Sequence, residues 1–171
     1  LSPRNCLPYG LTISGETSPQ DGWGSRSAVL KHPIKIILDR KLKISLGSKI
    51  FSEGPLSRSI IATTEKTPPA GIKRFAAVHN VELLFCREKA GLIDLKDLLK
   101  KLAKREIMHI LVEGGGETIA SFLKNGLADE VYFFIAPKII GGRLAPTSVE
   151  GDGVKDVKEA ISLNDICIRK I

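Results

Sequence analysis

The stretch "HILVEGGGETIASFLKNG", residues 109–126, decides the fold class. An apolar run at 107–112 predicts a strand, and three consecutive glycines separate it from a predicted helix, Glu117 to Lys124. Asn125-Gly126 is a good left-handed end for that helix. A strand that runs through a glycine turn into a helix is typical of an α/β protein.

The same alternation of strand and helix recurs along most of the chain. It predicts an α/β sheet, largely parallel, with helices on both faces. Asp94 is a predicted N-cap, and leucines follow it at helical spacing. Residues 1–31 are rich in Gly, Ser and Pro, so we expect an irregular segment before one domain at 32–171. The further predicted strands are 34–39, 59–64, 81–86, 129–137 and 160–170, and the further helices are 68–80 and 94–105.

Composition favours a globular protein that binds small anions. The chain has 171 residues, enough for one compact core, and no apolar run near the roughly 20 residues that cross a bilayer. Its formal charge of +7 favours a polyanionic partner, but the lysines are spread out and rarely alternate with aromatic residues. We therefore expect phosphorylated small molecules as ligands, and neither nucleic acid nor membrane.

The cysteines predict neither a metal site nor a disulfide framework. Cys6, Cys86 and Cys167 lie far apart, without metal-binding spacing, and their number is odd. We expect reduced thiols, a cytoplasmic protein and no bound metal.

The glycine triplet, residues 114–116, predicts a phosphate site. Backbone N–H groups at the start of a helix lack partners, and the positive end of the helix dipole lies behind them. Glycine lets a pyrophosphate approach the main chain, and tight turns often need positive φ. Thr118 and Ser121 add hydroxyl donors. The alternative is a tight turn that only packs the helix on the sheet.

The pattern matches neither of two common phosphate motifs. No Gly-Lys-Ser/Thr follows, and Ile119 stands where a third glycine of G-x-G-x-x-G belongs. Glu113 ends the predicted strand, where ligands of open α/β sheets bind. Because it would repel phosphate, we expect it to face a hydroxyl or amine of a second ligand. The alternative is a helix N-terminal charge.

Three segments together resemble the reductase domain of riboflavin biosynthesis, in bacteria usually the C-terminal half of a bifunctional deaminase/reductase. They are residues 109–147, 32–44 and 60–65. The resemblance implies a dihydrofolate-reductase-like, three-layer αβα fold with a mixed, mainly parallel sheet. It also implies that NADPH reduces the ribosyl group of 5-amino-6-(5-phosphoribosylamino)uracil to the ribitylamino product.

The resemblance also implies site residues. Glu113 matches a glutamate that contacts substrate. Arg40 stands where the family often has a serine near the cofactor ribose, and an arginine there could pair with the 2′-phosphate of NADPH. A solvated basic loop with Lys41 and Lys43 is the alternative. The cofactor phosphate loop is matched by Gly115, Gly116, Glu117, Thr118, Ile119, Ala120 and Ser121.

Some family features are not recognisable in this chain. Residues 1–31 lack the S-L-D-G, G-x-G-T-V and D-D-P motifs, and we expect the family's final strand to be cut off after Ile171. We therefore expect an incomplete reductase domain, poorly active alone, which forms a homodimer by analogy and belongs with a fused or upstream deaminase. Two alternatives stay open: a non-catalytic nucleotide-binding remnant of this fold, and a Rossmann-type dehydrogenase.

Overall fold

The computed structural model describes residues 33–51, 58–145 and 147–170. These residues divide into two compact units, one that ends at Ile110 and one that begins at Leu111, and each is described here by itself. The predicted boundary between residues 31 and 32 lies outside the described residues and stays a prediction.

The first unit contains a parallel three-stranded sheet with the strand order β1-β2-β3. Lys35 lies opposite Ser59, and Ser59 lies opposite Val81. A short antiparallel pair of strands follows the sheet. The prediction of a mainly parallel sheet is confirmed for this unit. The strands are β1 (Lys35–Leu38), β2 (Ser59–Thr64), β3 (Val81–Cys86), β4 (Glu88–Lys89) and β5 (Leu92–Ile93).

Strand β2 is the centre of this unit. All six of its residues are buried, because parallel strands lie on both sides and helices cover both faces. Successive side chains of a strand point to opposite faces. Ile60 and Ala62 accordingly join one apolar cluster, and Ile61 joins the other. Strand β1 is only half-buried, so its prediction as a buried strand is wrong in that respect.

Helices α1 (Pro69–Ala76) and α2 (Leu95–Ala103) cover opposite faces of the sheet. Phe75 of α1 packs in the cluster of Ile61, whereas Leu98 and Leu102 of α2 pack in the cluster of Ile60. The predicted cap is present: the Asp94 side chain accepts hydrogen bonds from the amides of Lys96 and Asp97 at 3.0 and 3.3 Å. Helices on both faces are therefore confirmed for this unit.

The second unit contains helix α3 (Gly116–Lys124) and a single 3₁₀ turn (Val157–Glu159) as the regular elements among its described residues. The predicted end of α3 is confirmed. Gly126 has a φ of 61°, and the Leu127 amide donates to the Phe122 carbonyl at 3.0 Å. This left-handed turn satisfies carbonyls that the last helical turn would leave unpaired.

The three strands predicted at 107–112, 129–137 and 160–170 are wrong, since none of these segments carries strand structure. An apolar pattern reports which side chains could be buried, but a strand also needs a neighbour that completes its hydrogen-bond ladder. No such neighbour is present among the described residues. Ile107 is nevertheless buried in the core of the first unit, whereas Phe134 and Ile135 are 79% and 90% exposed.

The cysteines confirm one part of the expectation and contradict another. Cys86 is a free thiol in the core, where burial raises its pKa. Cys167 is disulfide-bonded, so the prediction of reduced thiols is wrong for this residue. An odd number of cysteines excludes pairing of all three, but it does not exclude one bond.

Within the described ranges, helices are too short or too polar to cross a bilayer. The same residues contain no group of three or more His, Cys, Asp or Glu side chains arranged to hold a metal ion.

Candidate functional site

The glycine turn lies where α3 begins, and Gly115 is its N-cap residue. The backbone of Gly115 is extended, with φ −60° and ψ 165°. Its carbonyl accepts hydrogen bonds from the amides of Thr118 at 2.9 Å and Ile119 at 3.2 Å. The first turn of α3 therefore closes on the middle glycine of the triplet.

Three consecutive amides at this turn lack a hydrogen-bond acceptor among the described residues: those of Gly115, Gly116 and Glu117. Amides in this position carry the positive end of the helix dipole. Gly115 and Glu117 are exposed, whereas Thr118, Ile119, Ala120 and Ser121 are half-buried. Gly116, between Gly115 and Glu117, is buried beside the Glu150 side chain, so an anion would reach the turn from the side of Gly115.

Each glycine of the triplet has different surroundings. A Cβ on Gly114 would lie 2.7 Å from the Thr118 Cβ, and one on Gly116 would lie 2.5 Å from the Glu150 Cγ. A Cβ on Gly115 would meet nothing within 4 Å. Packing within the chain therefore requires glycine at 114 and 116, whereas the space beside Gly115 is open to a ligand.

The prediction of positive φ in this turn is wrong. The glycines with positive φ lie elsewhere, and Gly115 uses a φ that any residue adopts. Close packing, rather than left-handed backbone, is therefore the physical reason for glycine at 114 and 116.

Three carboxylates lie close to this turn in sequence or space. Glu113 is exposed, and no described cation lies within salt-bridge distance of it. Glu117 is in the first turn of α3. Glu150 packs its side chain on Gly116 and donates its amide to the Gly116 carbonyl at 3.3 Å. Sequence analysis missed Glu150, since no local pattern links it to the glycines.

Arg40 lies in the first unit, just after β1. Its carbonyl accepts hydrogen bonds from the hydroxyls of Thr63 and Thr67, each at 3.0 Å, and both threonines are buried. Its side chain is 34% exposed, and its guanidinium lies 3.3 Å from a carboxylate oxygen of Glu88. The main chain at Arg40 is therefore anchored to the end of β2, and its side chain is held by a partner.

A cavity of about 380 Å³ opens beside Arg40 at the carboxyl ends of β1 and β2. This is the edge where open α/β sheets bind ligands. Sequence analysis singled out Arg40, Lys41 and Lys43 here but missed Lys66, because chain order does not reveal which loops adjoin. The cavity is lined by Arg40, Lys41, Lys43, Thr64, Lys66, Thr67 and Pro68.

Glu88 is the counter-ion of this basic cavity. The Lys66 ammonium donates to one oxygen of its carboxylate at 2.9 Å, and the Arg40 guanidinium donates to the other. The hydrogen bond from Lys66, assisted by that from Arg40, lowers the pKa of Glu88 against the opposing effect of desolvation. The carboxylate is therefore ionised at neutral pH, and the four cations still outnumber it.

The two units thus each present one feature suited to an anion. The turn at Gly115 offers unpaired amides, and the cavity at Arg40 offers cationic side chains. A diphosphate suits the amides. A phosphate monoester suits a cationic pocket.

A comparison with protein families matches residues 9–169 to the RibD C-terminal domain. The matched span begins well before the segment at 32–44 that carries the first recognisable resemblance. It therefore includes most of residues 1–31, whose motifs are not apparent by inspection.

Several curated proteins are similar to this chain. The riboflavin biosynthesis protein RibD of Actinobacillus pleuropneumoniae is 32% identical over 81% of the chain and 36% of its own length. RibD of Aquifex aeolicus is 35% identical over 78% of the chain and 34% of its own length. The chain thus spans about a third of these relatives.

A shorter relative is covered more fully. The 2,5-diamino-6-ribosylamino-4(3H)-pyrimidinone 5′-phosphate reductase of Aquifex aeolicus is 31% identical over 90% of the chain and 68% of its own length.

Proposed function

The chain belongs to the RibD C-terminal domain family, and from that premise we propose that it is an NADPH-dependent reductase of riboflavin biosynthesis. Its reaction is reduction of the ribosyl group of 5-amino-6-(5-phosphoribosylamino)uracil to the ribitylamino product. The proposal includes a dihydrofolate-reductase-like fold, of which the parallel sheet between two helices is one part. The observation that carries it is the open space beside Gly115, next to three unpaired amides.

The glycine turn fits the diphosphate of a nicotinamide dinucleotide. A diphosphate oxygen needs close approach to backbone N–H groups, and a Cβ at Gly115 would fill the space through which it comes. Gly116 and Glu117 contribute amides, and Thr118 and Ser121 contribute hydroxyls on the same half-buried side of α3. Ile119 and Ala120 complete the segment that we propose as the cofactor loop.

Arg40 fits the 2′-phosphate that distinguishes NADPH from NADH. Its guanidinium is already held at the rim of a cationic cavity, so binding a phosphate there requires little ordering of the side chain. The surplus of positive charge in the cavity favours a dianion over a hydroxyl.

Glu113 is proposed to bind the substrate. Its carboxylate is exposed and lacks a cation among the described residues, so it is available to accept hydrogen bonds from hydroxyl or amine groups. The substrate carries both kinds of donor, on its sugar and on its pyrimidine. Glu113 would thus orient the ribosyl carbon that is reduced.

The chemistry divides between the cofactor and this chain. When bound, NADPH supplies the hydride that reduces the ribosyl carbon. The chain's own residues hold the diphosphate, discriminate the 2′-phosphate and fix the sugar by Glu113. Holding two reactants in the right geometry is itself a large part of catalysis.

The 2,5-diamino pyrimidinone is the second candidate substrate. The relative from Aquifex aeolicus that the chain covers over 68% of its length bears the name of that phosphate's reductase. The two substrates differ at C2 of the pyrimidine, which carries an amino group in one and a carbonyl oxygen in the other. Comparing their turnover therefore tests whether reduction precedes or follows deamination.

The assembly and location of the protein are also proposals. We propose a homodimer that works in the cytoplasm, with a deaminase domain fused to it or acting upstream. The length of the RibD relatives, of which this chain covers about a third, supports a companion domain.

The test combines NADPH binding with turnover of both substrates by the whole chain. We expect NADPH to bind, and a slow, substrate-dependent loss of NADPH that yields the ribitylamino product, identified by its mass. Glu113→Gln is expected to keep the Kd for NADPH within about twofold while turnover falls by about tenfold or more, as for loss of one charge-assisted hydrogen bond.

Glu106→Gln is the matched control, because Glu106 is an exposed carboxylate outside the site. It should change neither quantity. Absence of NADPH binding would refute the proposal. Binding without any product from either substrate would favour the non-catalytic nucleotide-binding remnant.

A further inference from the structure

The chain returns to the start of helix α3 at Glu150. The Glu150 amide donates a hydrogen bond to the Gly116 carbonyl at 3.3 Å. The Glu150 side chain packs on the same glycine, since a Cβ on Gly116 would lie 2.5 Å from the Glu150 Cγ and 2.8 Å from its Cδ. The main chain and the side chain of one residue therefore both hold the first residue of the helix.

Residues 150–152, which we call the strap, continue along α3 beyond this contact. A Cβ on Gly151 would lie 3.4 Å from the Cβ of Ala120, and the carboxylate of Asp152 lies 4.0 Å from the ammonium of Lys124. These two contacts and the first one are spaced four residues apart along α3, so they lie on one face of the helix. The strap therefore follows α3 from its first turn to its last.

The contact at Gly116 orients an amide of the glycine turn. The Gly116 carbonyl and the Glu117 N–H belong to one planar peptide group. This peptide is trans, so its C=O and N–H point in nearly opposite directions. The Glu117 amide is one of the three that lack an acceptor among the described residues. A bond that fixes the direction of the carbonyl therefore also fixes the direction of an amide that has no partner of its own.

The charge of Glu150 is not the useful part of this contact. Glu150 is exposed, and no described cation lies within salt-bridge distance of its carboxylate. A carboxylate beside the turn would repel a phosphate that binds there. The amide and the packed stem of the side chain are therefore the groups that could assist an anion.

We propose that Glu150 is a positioning residue of the reductase, which acts through the Gly116–Glu117 peptide to aim the Glu117 amide at the cofactor diphosphate. The inference rests on the proposed function and adds a residue that sequence analysis missed. An amide that is held in place before binding loses little freedom when the anion arrives, so the contact improves affinity. By linkage, a bound diphosphate must strengthen the hydrogen bond of Glu150 by the same factor.

The first experiment measures the Kd for NADP⁺ in the whole chain and the free energy of unfolding of each variant. Glu150→Pro removes the donating N–H and should weaken binding by about fivefold, the value of one ordinary hydrogen bond. Glu150→Gln keeps the amide and the packed stem, so its binding should be no weaker than that of wild type. Lys155→Pro is the matched control, because the Lys155 amide donates to no acceptor among the described residues, and its Kd should be unchanged.

Hydrogen exchange in the wild-type chain tests the same link without a substitution. Saturation with NADP⁺ should slow exchange of the Glu150 amide by about fivefold more than that of the Leu127 amide. The Leu127 amide is the internal control, because its hydrogen bond lies at the opposite end of α3. This measurement decides the question if Glu150→Pro does not fold.

The outcomes separate this inference from the proposed function. If the wild-type chain does not bind NADP⁺, both fall. If it binds NADP⁺, the inference alone is overturned by a folded Glu150→Pro chain with an unchanged Kd, or by exchange of the Glu150 amide that slows no more than that of Leu127. It is likewise overturned if Glu150→Gln weakens binding as much as Glu150→Pro, because the charge would then carry the effect.

Discussion

The residues of the glycine turn show how far a motif can be interpreted without a structure. The sequence predicts that Gly115 admits a phosphate, which stays a prediction, and the space beside Gly115 is open. Gly114 and Gly116 are required for another reason, because the side chains of Thr118 and Glu150 occupy the places of their missing Cβ atoms. Contacts with a residue so distant in sequence as Glu150 leave no local signal.

At the residue scale, Asp97 is expected to make the stability of the fold depend on pH. Burial alone would raise its pKa, but hydrogen bonds from the Lys101 ammonium at 2.8 Å and the Arg87 amide at 2.9 Å outweigh burial and lower it. A carboxyl whose pKa is lowered on folding stabilises the protein above its unfolded-state pKa. That contribution is lost as the pH falls through the folded-state pKa.

We therefore expect Asp97→Asn to lower the free energy of unfolding near neutral pH by about 1–3 kcal/mol, as for a lost hydrogen bond to a charged group. The difference from wild type should shrink as the pH falls below the ordinary range of an aspartate, about 4. Urea unfolding at several pH values measures the difference in unfolding free energy and its dependence on pH. Asp152→Asn is the control, because that side chain is 97% exposed. A difference that does not vary with pH would contradict this account.

At the scale of elements, local sequence predicted the first unit well and the second poorly. Strands β2 and β3 have the predicted bounds, and the Asp94 cap and leucine stripe identified α2, because neighbours close in sequence determine these features. The segment 129–137 has an equally clear apolar pattern but no strand. Pairing depends on a distant partner, and no local pattern records whether one is present.

The exposed apolar side chains at residues 132–140 have a consequence for association. Phe134, Ile139 and Ile140 are 79%, 100% and 95% exposed. Contiguous exposed apolar side chains mark interaction surfaces. We expect the chain to self-associate in a concentration-dependent manner, as the proposed homodimer requires, with this segment in the interface.

Replacing Ile139 and Ile140 together by lysine should shift the chain toward the monomer without lowering the free energy of unfolding, since neither side chain is buried. Sedimentation velocity over a range of concentrations measures the shift. Leu92→Lys, at a side chain that is 63% exposed in β5, is the control and should leave association unchanged. A wild-type chain that remains monomeric at every concentration would argue against this surface.

At the scale of the whole molecule, the family was predictable from the sequence, but the division of the chain into two compact units was not. The segments at 32–44, 60–65 and 109–147 sufficed for the resemblance, and the family match extends over residues 9–169. The division into two units depends on long-range packing, which a pattern of single elements does not contain.

The central claim is that the amides at the start of α3 bind the diphosphate of NADPH. The most direct measurement is a titration of the ¹⁵N-labelled chain with NADP⁺, followed by the chemical shifts of backbone amides. The account predicts that the amides of Gly115, Gly116 and Glu117 shift most. It also predicts that Gly115→Ala weakens NADP⁺ binding without lowering the free energy of unfolding. Gly47→Ala is the control, because a Cβ there also meets no close contact, and it should change neither quantity. Saturable shifts confined to other residues, with these three amides unmoved, would contradict the claim.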